Sequence, residues 1–131
     1  LDDILVESDE VHMPLDKPVK VLLRSIDVLH DFYVPEFRAK MDMVPGTVTY
    51  FWLTPIRTGT FDVLCFELCG IGHYAMRGTV VVEDDSDYQA WLAEQPTFAE
   101  QLAQAGSGTG EASRSVVSAA EADPGTRVFA R

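Results

Sequence analysis

The stretch TVTYFWLTP, residues 47–55, sets Val48, Tyr50 and Trp52 on one face of an extended chain and Thr47, Thr49, Phe51 and Leu53 on the other. That period of two, built from β-branched and aromatic residues, predicts a strand with one buried face. Turn chemistry brackets it on both sides, VPGT at 44–47 and PIRTG at 55–59. Further out, VKVLLRSIDVLHDFYV (19–34) reads as strand, and TGTFDVLCF (58–66) and RGTVVVEDD (77–85) are apolar runs opened by glycine. Pro14 and Pro18 mark turns before the first of these. Several short strands, with no helix among them before residue 86, predict an all-β sandwich or small barrel.

Beyond residue 86 the period changes. Ser86 is a candidate N-cap, Asp87 suits the positive end of a helix dipole, and Tyr88, Trp91, Leu92 and Phe98 recur at helical spacing. Pro96 interrupts the pattern, so two short helices are expected, 87–94 and 97–105, packed on the sandwich. AGSGTGEAS (105–113) has the composition of a flexible linker. The expected division is therefore a β domain over 1–93 and a helical extension with linker over 94–131.

The 131 residues suffice for one cored domain, and 47% hydrophobic with 10% aromatic content is globular rather than disordered. Ten basic against twenty-one acidic residues give a net charge of -11, which argues against nucleic acid and for solubility or a basic protein partner. No window approaches the roughly 18 apolar residues of a transmembrane helix, and Leu1 to Glu10 lacks the basic start and apolar middle of a signal peptide. The chain reads as a soluble piece, compatible with trimming from something anchored.

Both cysteines fall in CFELCGIGHYAM, residues 65–76. A disulfide between residues four apart closes a loop too small to stabilise much, so stapling explains them poorly. Thiolates suit copper(I), zinc and iron–sulfur clusters, imidazole suits zinc and copper, and a thioether is a ligand that zinc seldom takes. Cys65, Cys69, His73 and Met76 together thus tilt the reading toward copper, although a lone methionine is ordinarily core filling. A second histidine is needed. His30 ends the strand-like VLLRSIDVLH and can project from the same end of a sandwich, whereas His12, in the polar, turn-like DEVHMPLDKP, is expected to be an exposed surface residue. Two thiolates and two imidazoles can hold one zinc tetrahedrally, or can bridge two coppers with one histidine on each.

CFELCGIGHYAM resembles the C-x-E-x-C-G-x2-H-x2-M signature of the dinuclear copper A centre in cytochrome c oxidase subunit II, and DVLHDFYVPEFRAKMDMVPG (27–46) is similar to the family's segment bearing the first ligand histidine. The likeness covers about residues 19–92. It implies a cupredoxin-like Greek-key β-sandwich, two copper ions bridged by Cys65 and Cys69, His30 and an axial Met76 on one ion, and His73 with the Glu67 carbonyl on the other. It further implies that the Glu67 side chain reaches magnesium only in the assembled oxidase. The implied role is electron transfer from cytochrome c to a heme of oxidase subunit I, on the periplasmic face of a bacterial membrane. Membrane anchorage would come through N-terminal helices that do not precede Leu1, and the family's tryptophan-rich electron-entry segment is likewise not present. Trp52 and Trp91 do not match that segment and are expected in the core.

FRAK and MRG depart from mitochondrial-type subunits toward a bacterial branch. DPGTRVFAR (123–131), with Gly125 to Phe129 as G-x3-F, resembles the lead-in to a cytochrome c domain, which would tether the donor to the same chain. The rivals are the copper A domain of a nitrous oxide or nitric oxide reductase, a mononuclear copper or zinc protein, and a thioredoxin-like copper chaperone. The glutamate between the cysteines and the following CG favour the oxidase. A chaperone of that type carries its histidine far downstream in an α/β chain, whereas His30 lies upstream among strands.

Overall fold

The computed structural model describes residues 2–107 and a strand at 127–129. Seven strands precede the first α-helix: β1 (Glu10–Pro14), β2 (Val19–Leu23), β3 (His30–Val34), β4 (Ala39–Met43), β5 (Thr49–Leu53), β6 (Gly59–Cys65) and β7 (Arg77–Glu83). They form two layers. One sheet runs β1-β7-β6-β3-β4, and the other pairs β5 with β2, whose far edge carries β8 (Arg127–Phe129) in parallel. All neighbours in the larger sheet are antiparallel except β1, which lies parallel to β7 with His12 opposite Val81. The chain crosses between layers after β1, after β2, after β4 and after β5, which is a Greek-key sandwich of the cupredoxin kind.

Alternation explains the core. Val19, Val21 and Leu23 of β2 are buried while Lys20 between them is exposed. They face Met13, Phe32, Val34, Met43, Phe61, Val80 and Val82 of the larger sheet. Phe51 and Leu53 pack against this cluster from β5, and the Phe32 and Phe51 rings meet across the layers at 6.0 Å. Each fully buried side chain of this size contributes about 1.5–3 kcal/mol. Tyr50 and Trp52 point outward as the alternation requires, so Trp52 is 67% exposed rather than part of the core, its ring beside Tyr50 at 5.7 Å.

The run 19–34 is two strands, not one. Residues 24–29 leave the small sheet and enter the large one, so β2 and β3 belong to different layers. The turn at 44–47 is tight: the Thr47 N–H donates to the Val44 carbonyl at 3.1 Å, and Gly46 takes φ 76°, the left-handed position after Pro45 that a type II turn demands.

Two helices follow β7, α1 (Asp85–Glu94) and α2 (Phe98–Ser107), separated at Pro96 as expected. Asp84, not Ser86, holds the N-cap position of α1, and its carbonyl accepts the Tyr88 N–H at 2.9 Å. Thr97 and Glu100 begin α2 as a reciprocal capping box: the Thr97 N–H donates to the glutamate at 2.8 Å and the Glu100 N–H to the threonine hydroxyl at 3.3 Å. Tyr88 and Trp91 dock α1 on the sheet, and Trp91 stacks on His12 at 4.0 Å. His12 is consequently 8% exposed and its Nδ1 lies 2.8 Å from a Glu83 carboxylate oxygen. The segment 9–18 is a strand and then a turn, and the parallel partner strand together with the tryptophan accounts for the burial of a histidine expected at the surface. The linker expected over 105–113 begins inside α2, while residues 108–113 and Gly125 of the G-x3-F pattern lie outside the described residues. Among the described residues no helix is long and apolar enough to cross a membrane.

Candidate metal centre

One end of the larger sheet gathers the donors. His30 opens β3 and Cys65 closes β6, and the antiparallel ladder sets Phe32 opposite Cys65, so histidine and cysteine emerge side by side. The chain then loops out through residues 66–76 and returns as β7. The Cys65 N–H donates to the Met76 carbonyl at 3.4 Å, which closes the base of the loop. Inside it a 3-10 turn, His73–Ala75, is held by the His73 N–H on the Gly70 carbonyl at 3.1 Å and the Ala75 N–H on the Gly72 carbonyl at 2.9 Å. Gly70 adopts φ 139°, a conformation nearly closed to other residues, and so turns the chain immediately after Cys69.

The resulting contacts are short. Cys65 Sγ lies 3.7 Å from His30 Nδ1, 3.7 Å from Cys69 Sγ and 3.3 Å from the Glu67 carbonyl oxygen. Cys69 Sγ lies 3.5 Å from His73 Nδ1 and 3.2 Å from Met76 Sδ. His30, Cys65 and Cys69 offer donor atoms all within 4.8 Å of one another, and His73, Met76 and Glu67 flank them. Each of the six residues singled out in the sequence is therefore brought to one place, two sulfurs at the centre and one imidazole against each. Both cysteines are free thiols. A donor set of thiolates, imidazole nitrogens and a thioether, each sulfur within 3.7 Å of an imidazole nitrogen, fits copper.

The electrostatics differ between the two sulfurs. Burial pushes the Cys65 thiol up, but main-chain hydrogen bonds at Asp31 and Glu67, then His30 and Cys69, outweigh it and bring its pKa down to about 6. Cys69 is raised by burial and by Cys65 beside it. Burial lowers His30, yet the hydrogen bonds to Asp27 and Cys65 raise it on balance. The Asp27 carboxyl in turn falls to about 2, held by His30 and then by the Val28 main chain. Asp27 was not evident as part of the site from sequence; the signal that could have found it is its spacing, an acid three residues before the histidine.

The segments that carry these donors also expose apolar side chains, Ile26 on the crossing into β3 and Phe66, Leu68, Ile71 and Tyr74 on the loop that holds Cys69, His73 and Met76. Phe66 rests on the Tyr33 ring at 4.8 Å, with the Lys40 ammonium 4.9 Å above it.

The comparison with known proteins matches this arrangement. Residues 2–84 fit the family model described as cytochrome c oxidase subunit II, periplasmic domain. The chain belongs to that family. It is 72% identical over 98 residues to an alternative cytochrome c oxidase subunit 2 of Bradyrhizobium diazoefficiens, covering 75% of this chain and 35% of that protein. It is 41% identical over 95 residues to a cytochrome c oxidase subunit 2 of Thermostichus vulcanus, covering 72% and 28%. The chain thus spans about a third of the length of these curated relatives. Among solved structures, the periplasmic domain of subunit II (CoxB) of Bradyrhizobium japonicum superposes with a TM-score of 0.62 at 33% identity, over 64% of this chain and 61% of that one. A second structure holds subunit II of cytochrome c oxidase in a mixed disulfide with a thioredoxin-like protein, TM-score 0.57, 32% identity, covering 64% and 59%. Membership in a family described as the periplasmic domain of that subunit agrees with copper as the metal that the donor cluster fits.

Proposed function

We propose that this domain relays single electrons in a cytochrome c oxidase, taking them from cytochrome c and delivering them to a heme of subunit I, through a pair of copper ions. In this reading Cys65 and Cys69 would be shared by both ions, His30 and Met76 would hold one, and His73 with the Glu67 carbonyl would hold the other. The observation that carries it is the pairing of two central sulfurs, 3.7 Å apart, with a separate imidazole nitrogen against each. Bound there, copper supplies a one-electron change whose positive charge is spread over two ions and two thiolates.

The chain's own residues do the rest. A Cys65 thiol lowered to about 6 offers a thiolate at neutral pH without external help. His30 and Cys65 stand on adjacent strands of a packed sheet, and the Met76 carbonyl is tied to Cys65, so the donors keep their places as the charge changes. Little rearrangement means fast transfer. The exposed apolar side chains of these segments exclude water from the contact with whichever redox partner covers them. We assign the copper domain to residues 1–93 and the extension to 94–131, and place the domain on the outer face of the bacterial membrane. The donor is a diffusing cytochrome c or one carried beyond the Gly125 to Phe129 pattern, and magnesium binds the Glu67 side chain only in the assembled oxidase. The relative solved in a mixed disulfide with a thioredoxin-like protein points to a reductase of that kind keeping Cys65 and Cys69 as thiols before metal enters.

The test is metal analysis with electron paramagnetic resonance on copper-loaded protein. The expected result is two coppers per chain and one unpaired electron coupled to both nuclei. Met76→Leu should shift the reduction potential and keep the pair, and Cys69→Ser should abolish the shared signal. One copper per chain with a single-nucleus spectrum, or a colourless zinc protein, would reject the reading.

A further inference from the structure

The crossing that carries the chain into β3 contains a hydrogen-bond relay outside the ligand set. The carboxylate of Asp27 accepts the Nε2–H of His30 at 2.9 Å. The same oxygen is 3.2 Å from the Ser25 hydroxyl, whose single proton it shares with the Val28 carbonyl, and Ser25 bridges to Pro45 of the neighbouring turn. Asp27 is thus anchored although its side chain is largely exposed. An imidazole that donates from Nε2 keeps its lone pair on Nδ1, and Nδ1 is the atom facing Cys65 Sγ. His73 differs. Its Nδ1 faces Cys69, but among the described residues no carboxylate bonds its Nε2.

We propose that Asp27 is a positioning residue that makes the two halves of the metal site unequal. It fixes His30 in the tautomer that presents Nδ1, and by drawing on the Nε2 proton it makes His30 a stronger donor than His73. This rests on the copper-pair reading and adds to it. A stronger donor favours the more highly charged state of its own ion, so the positive charge left on oxidation leans toward the His30 side, and the reduction potential is lower than that of a pair with two equal imidazoles.

Four proteins separate the possibilities: wild type, Asp27→Glu, Asp27→Asn and Asp27→Ala. Without metal, nitrogen NMR should find His30 of wild type as the Nε2–H tautomer with a slowly exchanging proton, and find mixed tautomers with fast exchange in Asp27→Ala. With copper, Asp27→Ala should hold the metal about 10- to 100-fold more weakly in chelator competition. Its potential should rise, and its two copper hyperfine couplings should approach each other. Asp27→Asn, which keeps an acceptor and loses the charge, should fall between, and Asp27→Glu should recover wild-type behaviour. Unchanged tautomer, affinity and couplings in Asp27→Ala would overturn the proposal. So would a raised potential with unaltered couplings and tautomer, since that is the loss of a surface charge and nothing more. A wild type with the fixed tautomer but one copper would reject the paired site itself, and the asymmetry with it.

Discussion

Asp31 follows His30 directly and is 2% exposed, yet neither of its carboxylate oxygens has a hydrogen-bond partner among the described residues. It stands opposite Asp42 in the β3–β4 ladder, and the Lys40 ammonium is 3.5 Å away. Burial and then the neighbouring Asp42 raise its pKa to about 6, against which Lys40 works only partly. A carboxyl whose folded pKa lies above its unfolded value binds more protons when folded. The stability it lends is full below about 4 and is lost as pH rises through about 6. Cys65 acts in the opposite sense: its depressed pKa lends stability that is present above the unfolded value near 9 and lost as pH falls through about 6. His30, raised, lends stability that is present below the ordinary histidine range and lost as pH climbs through its folded pKa. Replacing Asp31 by asparagine removes only the first of these. Urea unfolding of the copper-free domain at pH 4.5 and 7.5 should show Asp31→Asn gaining stability relative to wild type at the higher pH, by at most about 3 kcal/mol, with the gap closing at the lower. The Asp31 main chain that bonds Cys65 is unchanged by the substitution, so copper binding should persist. A constant difference between the two proteins across that range would exclude a raised Asp31.

At the scale of elements, α1 is held on the sheet by buried Tyr88, by the Lys17–Asp85 ion pair and by a histidine–tryptophan stack away from the donor cluster. The His12 ring lies flat on Trp91, 4.0 Å apart and 11° from parallel, with Glu83 on Nδ1 and Glu10 3.7 Å from Nε2. Trp91→Ala removes the stacking surface and leaves His12 partly open to water. It should cost about 2–3 kcal/mol in denaturant unfolding, somewhat below the range for fully buried tryptophan. Trp91→Phe should recover much of this. Copper content and spectrum should not change, because His12 stands opposite Val81, five residues beyond Met76 along the strand, roughly 16 Å away; a spectral change would mean that α1 reaches the centre. This clamp was illegible in the sequence. Strands at 49–53, 59–65 and 77–83 announce themselves through alternation and apolar runs, and the spacing of Cys65, Cys69, His73 and Met76 places the donors on one short loop. β1 does not: its pairing with β7 is parallel and spans some seventy residues, and acids and a proline beside His12 look like a turn. For the same reason Asp27 and Asp31 were hidden, since their roles come from what the ladder and the crossing loop set next to them.

For the whole molecule, two features would act over different distances on the redox partner of the proposed function. The net charge of -11 attracts a basic protein from afar and is screened over about 30 Å at 0.01 M salt but about 8 Å at 0.15 M. The exposed apolar side chains of Ile26, Phe66, Leu68, Ile71 and Tyr74 act only on contact, where they remove water beside the donors. Under the proposed function these should separate in stopped-flow reduction by a basic cytochrome c. The bimolecular rate for wild type should fall steeply between those two salt concentrations. Ile71→Ser carries the same charge, so it should lower the rate at every salt concentration and leave the slope against ionic strength unaltered. Replacing an exposed acid beyond the other end of β7, such as Asp85 paired with Lys17 at 2.5 Å, should do little to either. If Ile71→Ser altered the salt slope instead, or left the rate untouched, these side chains would not be the contact surface, and electron entry would have to be sought on another face.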